Sequence, residues 1–388
     1  MPATETKSWD IFCRVIDNYG DIGVCWRLAR QLANEHQQQV RLWVDDLNSL
    51  VRIWPEAQNI EQQFCAGVEI CHWVEPFPVN IDVAQIVIEG FACDIPDTYL
   101  QRMAAQKHTG RPPVWINLEY LSAEEWVEDC HGMTSVHPTT GLRKTFFFPG
   151  FTPKTGGLLR ERDLLASRDN PDKRLFLEQI GVQQKEAPLL VSLFAYENQA
   201  IASLLTAWIN SPTPIHCLVP NGKILTSINQ ALNIELQIGK QWQQGNLSLD
   251  VIPFLTQVDY DLLLWACDIN FVRGEDSFIR AQWAGKPFIW HIYPQDEQAH
   301  IIKLDAFLAR FLTGKNTDFA NRLRSLWRNW NEFADTGESW GKILEQLPQW
   351  QFASHDWCQD LVHQPDLARQ LMAVAAGYAT QKSTTEKP

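Results

Sequence analysis

The 388-residue chain contains no apolar run long enough to cross a bilayer, and its first ten residues lack the hydrophobic stretch of a secretory signal. Both absences point to a cytoplasmic protein with no membrane partner. Cysteine occurs nine times but never as C-x-x-C, and no spacing matches a zinc site, so buried free thiols are the expectation. The ten histidines include no H-E-x-x-H pair, and no metal centre is expected. Basic residues are in deficit, 33 Lys and Arg against 46 Asp and Glu, for a formal net charge of −13. That deficit argues against nucleic acid as a partner. It is compatible with a cationic substrate in an acidic site, although solubility alone also accounts for it. The dinucleotide fingerprint G-x-G-x-x-G is missing too. After the first apolar strand only Gly20-x-x-Gly23 remains, and Asp17 and Asp21 stand where a diphosphate would lie. Their charge repels phosphate, which disfavours nicotinamide or flavin there.

What is present describes a folded α/β chain. Hydrophobic residues make up 45% and charged residues 20%, values typical of globular proteins. Seventeen tryptophans are unusually many and are expected mostly in cores. The length exceeds one typical core, so two domains are expected. Apolar strands are read at Ile11–Ile16, Gln39–Val44, Ile86–Ile88 and Val114–Ile116, with a helix from Val24 to about Glu35. Ser122-Ala123-Glu124-Glu125 has the form of a capping box and predicts a helix start. A second alternating run covers Leu189–Phe194, Ile215–Val219, Leu249–Phe254, Ile269–Val272 and Pro287–His291, and the pattern is helical from Asp296 onward. Strands alternating with helices imply parallel sheets whose ligands bind outside the strands' carboxyl ends. The expected division is residues 1–165 as an N-terminal Rossmann-like domain and 166–350 as a C-terminal one. Residues 351–388 are read as a helical segment that packs back on the N-terminal domain and ends in a loose polar tail.

The stretch Asp268–Pro287 organises this reading. A short strand runs into Arg273-Gly274-Glu275, and a helix opens at Asp276-Ser277, residue types that cap N–H groups, then closes near Gly285 before Pro287. A strand, a glycine turn and a helix start aim free N–H groups and a positive dipole end at one point, which suits an anion such as a diphosphate. Arg273 adds a guanidinium fork for phosphate oxygens. An ordinary strand–turn–helix bearing a surface ion pair explains the same residues equally well. The acidic loop Asp17–Asp21 then serves to receive a cation or to activate a nucleophile, unless Asp21 merely caps a helix.

Several longer motifs narrow the choice. Asp17-Asn18-Tyr19-Gly20-Asp21-Ile22-Gly23, Glu89-Gly90-Phe91-Ala92-Cys93-Asp94 and Asn117-Leu118-Glu119-Tyr120-Leu121-Ser122-Ala123-Glu124 closely resemble the bacterial protein-arginine rhamnosyltransferases that modify elongation factor P, the EarP family. Lys154–Leu158, Arg273–Phe278 and His291–Asp296 resemble them too, in register from about Ile11 to about Lys303. The resemblance implies a GT-B glycosyltransferase with two Rossmann-like domains facing each other across a cleft. Its activity would be inverting transfer of L-rhamnose from dTDP-β-L-rhamnose to an arginine nitrogen at a loop tip in the N-terminal domain of elongation factor P, without a cofactor or metal. Catalytic carboxylates then fall on Asp17, Asp21 and Glu275. Donor contacts fall on Phe194, Tyr196, Phe254, Gln257, Arg273, Asp276, Ser277 and Tyr293. Asn18, Tyr19, Gly20, Glu89, Asp94 and Glu119 fall on the acceptor side. Two alternatives stay open at this point: a GT-B enzyme or epimerase acting on another nucleotide sugar, and a non-catalytic acidic module that grips a basic loop.

Overall fold

In the computed structural model the described residues are 6–16, 19–108, 112–169, 171–183 and 188–385. The chain forms two compact units, one from residues 1–162 and 364–388 and the other from 163–363.

The first unit is built on eight strands: β1 (Ser8–Cys13), β2 (Gln39–Val44), β3 (Gln62–Cys65), β4 (Val68–His72), β5 (Ile86–Gly90), β6 (Val114–Leu118), β7 (Thr134–Val136) and β8 (Arg143–Phe147). Their order is β3-β4-β2-β1-β5-β6-β8-β7. The six inner strands run parallel, and β3 and β7 close the edges antiparallel. Strand order reverses between β1 and β5, and open α/β sheets bind ligands outside the carboxyl ends at such a reversal. β1 and β5 lie close there because residue 90 is glycine. A Cβ on Gly90 would meet the Phe12 carbonyl oxygen at 2.7 Å and Cys25 Sγ at 3.1 Å.

β1 differs from the Ile11–Ile16 strand expected, and the difference has a cause. It starts earlier because Asp10, a fully buried carboxylate, is satisfied by two Arg41 N–H donors at 2.6 and 2.7 Å and by the Tyr99 hydroxyl. It stops at Cys13 because the next backbone donors go to carboxylates: Val15 N–H to Asp45 Oδ1 and Ile16 N–H to Asp21 Oδ2. The predicted helix start at Ser122 also fails. Ser122 Oγ accepts from the Glu124 N–H at 3.1 Å and donates to the Glu124 carboxylate at 2.9 Å. This local loop competes with helix, and the short helix that follows covers only Trp126–Cys130.

The second unit holds β9 (Leu189–Leu193), β10 (Ile215–Pro220), β11 (Gln241–Gln244), β12 (Leu247–Ile252), β13 (Ile269–Arg273) and β14 (Phe288–His291). Their order is β11-β12-β10-β9-β13-β14, parallel except for edge strand β11. Here the reversal lies between β9 and β13. The central strands are buried on both faces, which explains their predominantly apolar sequences. Tryptophans fill the cores as expected: Trp9 and Trp26 in the first unit, and Trp208, Trp327, Trp330, Trp340 and Trp350 in the second, are fully buried. Phe271 of β13 packs against Trp330 and Trp340 with ring centroids 5.0 and 6.0 Å away. Among the described residues no helix is long and apolar enough to cross a membrane.

Candidate active site

In the first unit the candidate residues collect at the β1/β5 reversal. Asp17 and Asn18 lie outside the described residues. Asp21 sits in the first turn of the helix Gly20–His36, 1% exposed, where the helix dipole favours an acidic side chain. Ile16 N–H donates to its Oδ2 at 2.8 Å and the Tyr120 hydroxyl to its Oδ1 at 3.0 Å. These two donors help fix the orientation of the carboxylate. Tyr120 is itself held by Phe91, stacked at 4.4 Å and 17°. Phe91, Ala92 and Asp94 all adopt left-handed φ angles near 55°. Such conformations are costly for residues other than glycine and cluster at functional sites. The turn is held by Phe91 N–H on the Leu118 carbonyl at 2.7 Å and by Ala92 N–H on Asn117 Oδ1 at 3.1 Å.

The other acceptor-side residues divide in two. Tyr19 and Gly20 are half-buried at the helix start, Asp94 is exposed, and Glu119 is half-buried and accepts from Asn117 Nδ2. Glu89 points the other way. It is 1% exposed, and its carboxylate is taken by Trp115 Nε1 at 3.0 Å and Lys144 Nζ at 3.2 Å. Asp45 and Asp46 form a strand-end turn after β2, with Asp46 capping the helix Leu47–Ile53.

In the second unit the donor-side residues surround the β9/β13 reversal. Phe194 and Tyr196 follow β9; Arg273 ends β13 and leads through Gly274, at φ +63°, into the helix Asp276–Ala284, which ends at Gly285 as expected. The Arg273 guanidinium lies 4.3 Å from the Phe194 ring centroid and 4.9 Å from that of Tyr196, and Nη1 donates to the Ala195 carbonyl at 3.3 Å. Stacking and this bond fix the plane of the fork. The side chain of Glu275, the N-cap residue, makes no capping bond to the helix start. Ser277, expected to cap it or to face an anion, instead accepts the Arg273 N–H at 2.9 Å and donates to the Arg273 carbonyl. It therefore shapes the arginine turn. Buried Gln257 donates to Asp276 Oδ2 at 3.2 Å, tying two helix starts together. Glu275 is buried at the turn, Phe254 is half-buried after β12, and Tyr293, 42% exposed, meets Tyr196 edge-on at 5.5 Å. Beside Tyr196 lies His291, the last residue of β14 and the register partner of Arg273. Burial, with Arg273 nearby, pushes its pKa down to about 3.

Sequence reasoning missed Tyr120 and His291 as site residues. The signal available for each was a polar ring at the carboxyl end of a predicted strand. Among the described residues no three His, Cys, Asp or Glu side chains gather as a metal site requires.

Comparison with known proteins gives one answer throughout. Residues 9–376 match the family described as elongation-factor P (EF-P) rhamnosyltransferase EarP. The protein-arginine rhamnosyltransferase of Pseudomonas putida is 49% identical, over 94% of this chain and 97% of its own length. That of Shewanella oneidensis is 42% identical, over 95% and 98%. A solved structure described as the structural basis for EarP-mediated arginine glycosylation of translation elongation factor EF-P is 37% identical, covers 96% of this chain and 99% of its own, and superposes with a TM-score of 0.69. Acinetobacter baumannii MurG, 13% identical with a TM-score of 0.50 over 96% of this chain and 100% of its own, shares the fold alone, that of the GT-B glycosyltransferases. With its strand reversals, its motif register and these relatives in agreement, the chain belongs to the EarP family and is a protein-arginine rhamnosyltransferase, a glycosyltransferase of the GT-B type.

Proposed function

We propose that the chain works in the cytoplasm, inverting the anomeric centre as it moves L-rhamnose from dTDP-β-L-rhamnose to an arginine nitrogen of elongation factor P, with no metal. The chemistry of the two strand reversals supports this. The first unit presents a carboxylate, Asp21, at its reversal, and the second presents a guanidinium, Arg273, beside a helix start at its own. A carboxylate at one reversal, suited to a cation, and a guanidinium at the other, suited to a departing anion, are the observations that carry the reading.

The acceptor poses a proton problem. A guanidinium has a pKa above about 12 and a carboxylate one near 4, so complete prior transfer would cost about 11 kcal/mol. In the proposal the proton moves only as the bond forms. The arginine nitrogen attacks the anomeric carbon, the C–O bond to the diphosphate breaks on the opposite face, and Asp21 takes the proton from nitrogen as general base. Asp17 holds the guanidinium through paired N–H···O contacts, and Asn18, Tyr19, Gly20, Asp94 and Glu119 line the acceptor side. Glu275 faces the sugar hydroxyls or the incoming guanidinium. The dTDP leaves as an anion, received by Arg273 and the N–H groups at residues 275–277, with Ser277 keeping that turn in shape. Phe194 and Phe254 back the thymine, Gln257 and Asp276 bind as a linked pair, and Tyr196 and Tyr293 complete the wall.

Titration calorimetry tests the donor assignment. The wild-type protein is expected to bind dTDP and dTDP-rhamnose and to prefer them over UDP and UDP-sugars. Tight binding of elongation factor P with no affinity for any nucleotide would replace this reading with that of a non-catalytic acidic module.

A further inference from the structure

We propose that His291 is a donor-binding residue whose two ring nitrogens are reserved for hydroxyl groups of the bound sugar. This rests on the nucleotide-sugar reading above and adds a specificity-determining residue to it. His291 is 1% exposed, and among the described residues neither Nδ1 nor Nε2 has a hydrogen-bond partner. Its ring is enclosed by Tyr196, Trp330 and Phe333, all edge-on, at 5.1, 5.6 and 6.2 Å. A phenylalanine would fill that aromatic box without leaving a buried donor and acceptor unmet, and unmet polar groups in a core are penalised. The tryptophans of this unit whose indole N–H groups also lack partners (Trp208, Trp327, Trp330, Trp340 and Trp350) are a different case. Each forgoes a single donor, and all five lie on helices. His291 forgoes both a donor and an acceptor, at the carboxyl end of a parallel strand beside Arg273, where ligands of such sheets bind.

The backbone around the ring is fixed. Asn331 Oδ1 accepts the Ile292 N–H at 3.0 Å, and Asn331 Nδ2 donates to the Trp290 carbonyl at 2.8 Å. This clamp on both sides of His291 fixes where the ring attaches before ligand arrives, as a preorganised site requires. The ring stays neutral at working pH, since burial and the nearby Arg273 and His300 oppose its protonation. A neutral imidazole offers one N–H donor and one bare nitrogen acceptor. A phosphate oxygen would satisfy only the donor. A sugar hydroxyl, which both donates and accepts, satisfies either nitrogen, and two neighbouring hydroxyls satisfy both.

The test uses the full chain with His291→Phe, and His291→Leu as a second apolar variant should the first fold poorly. Three measurements are read: calorimetric Kd for dTDP, Kd and KM for dTDP-rhamnose, and Tm without ligand. The expected result is a roughly tenfold rise in Kd and KM for dTDP-rhamnose, as for one lost sugar hydrogen bond, with dTDP affinity within twofold of wild type. The free protein should also melt about 2 °C higher, because the unmet nitrogens are gone. His291→Asn, which restores a donor and an acceptor, should return the dTDP-rhamnose affinity to within about threefold of wild type. Equal losses for dTDP and dTDP-rhamnose would overturn the sugar assignment in favour of the diphosphate. Unchanged affinities in both apolar variants, with wild type binding normally, would overturn the role of His291 altogether. Failure of the wild-type protein to bind either nucleotide would instead overturn the donor reading, and the assignment of His291 with it.

Discussion

Replacing Arg273 by alanine separates a catalytic role from a structural one. In the proposal its guanidinium receives the charge that grows on the departing diphosphate. Losing one preorganised donor of that kind raises a barrier by about 3–4 kcal/mol, a factor of 10² to 10³ in rate. The structure also says what the side chain does without substrate. It stacks on Phe194 and Tyr196 and donates to the Ala195 carbonyl. Each stacking contact contributes about 0.5–1 kcal/mol and the hydrogen bond about 1. Arg273→Ala should therefore lower stability by about 2–3 kcal/mol, a fall in Tm of about 5–10 °C for a unit of this size, with circular dichroism otherwise unchanged. Arg273→Lys keeps the charge but loses the planar fork, and should lie between the two in rate. The assay is kcat/KM from intact-mass analysis of the acceptor at varied dTDP-rhamnose, with dTDP affinity measured in parallel. A variant that melts earlier as calculated yet turns over within threefold of wild type would show that Arg273 only holds the β9 loop in place.

Asp21→Asn should keep acceptor affinity and lose at least a hundredfold in transfer, within the range of positioned general bases; near-normal turnover measured by mass spectrometry removes Asp21 from that role. Tyr120→Phe removes one of the two donors described on Asp21 and should cost about tenfold in kcat, as for a hydrogen bond to a charged group, with little change in Tm. Asp261 and Arg280 form a buried bidentate pair at 2.7 and 2.8 Å, so Asp261→Ala should destabilise the second unit by about 3–5 kcal/mol by leaving the arginine charge unpaired, measured by urea unfolding. His291 carries a signed pH effect. Its pKa falls from 6.5 to about 3 on folding, so the unfolded chain binds the extra proton and stability is lost as pH drops below 6.5. Between pH 7.5 and 5.5 that loss is about 1.4 kcal/mol, and it should vanish in His291→Phe; an identical pH slope in both proteins refutes it.

Strands buried on both faces were the legible part of this fold. β2 and β13 stand out in the sequence as mostly apolar runs, broken only by Arg41 and Asn270, because their neighbours cover most of both faces. The edges were not legible. β3 and β11 are half-exposed hairpin partners rich in glutamine, with neither an apolar run nor a clear alternation to mark them. The misjudged ends of β1 share one cause with the capping box that did not form: side-chain carboxylates and hydroxyls diverted backbone donors or held a local loop, which composition does not reveal. At the candidate site, the arginine–glycine turn before a helix has a physical signature in the sequence, and the structure places that turn at the end of β13. The partners did not show. Nothing local says that Ser277 folds back on Arg273, that Tyr120 reaches Asp21 across 99 residues, or that Glu89 spends its charge on Lys144.

The most direct test of the proposed activity is intact-mass analysis of elongation factor P after incubation with the purified protein and either dTDP-β-L-rhamnose or UDP-sugars. The expected result is one added deoxyhexose, located on a single arginine, formed with dTDP-rhamnose, and at a rate about a hundredfold or more lower in Asp21→Asn and Arg273→Ala. Addition of a different sugar from a UDP donor, or no addition under conditions where both substrates bind, would contradict it.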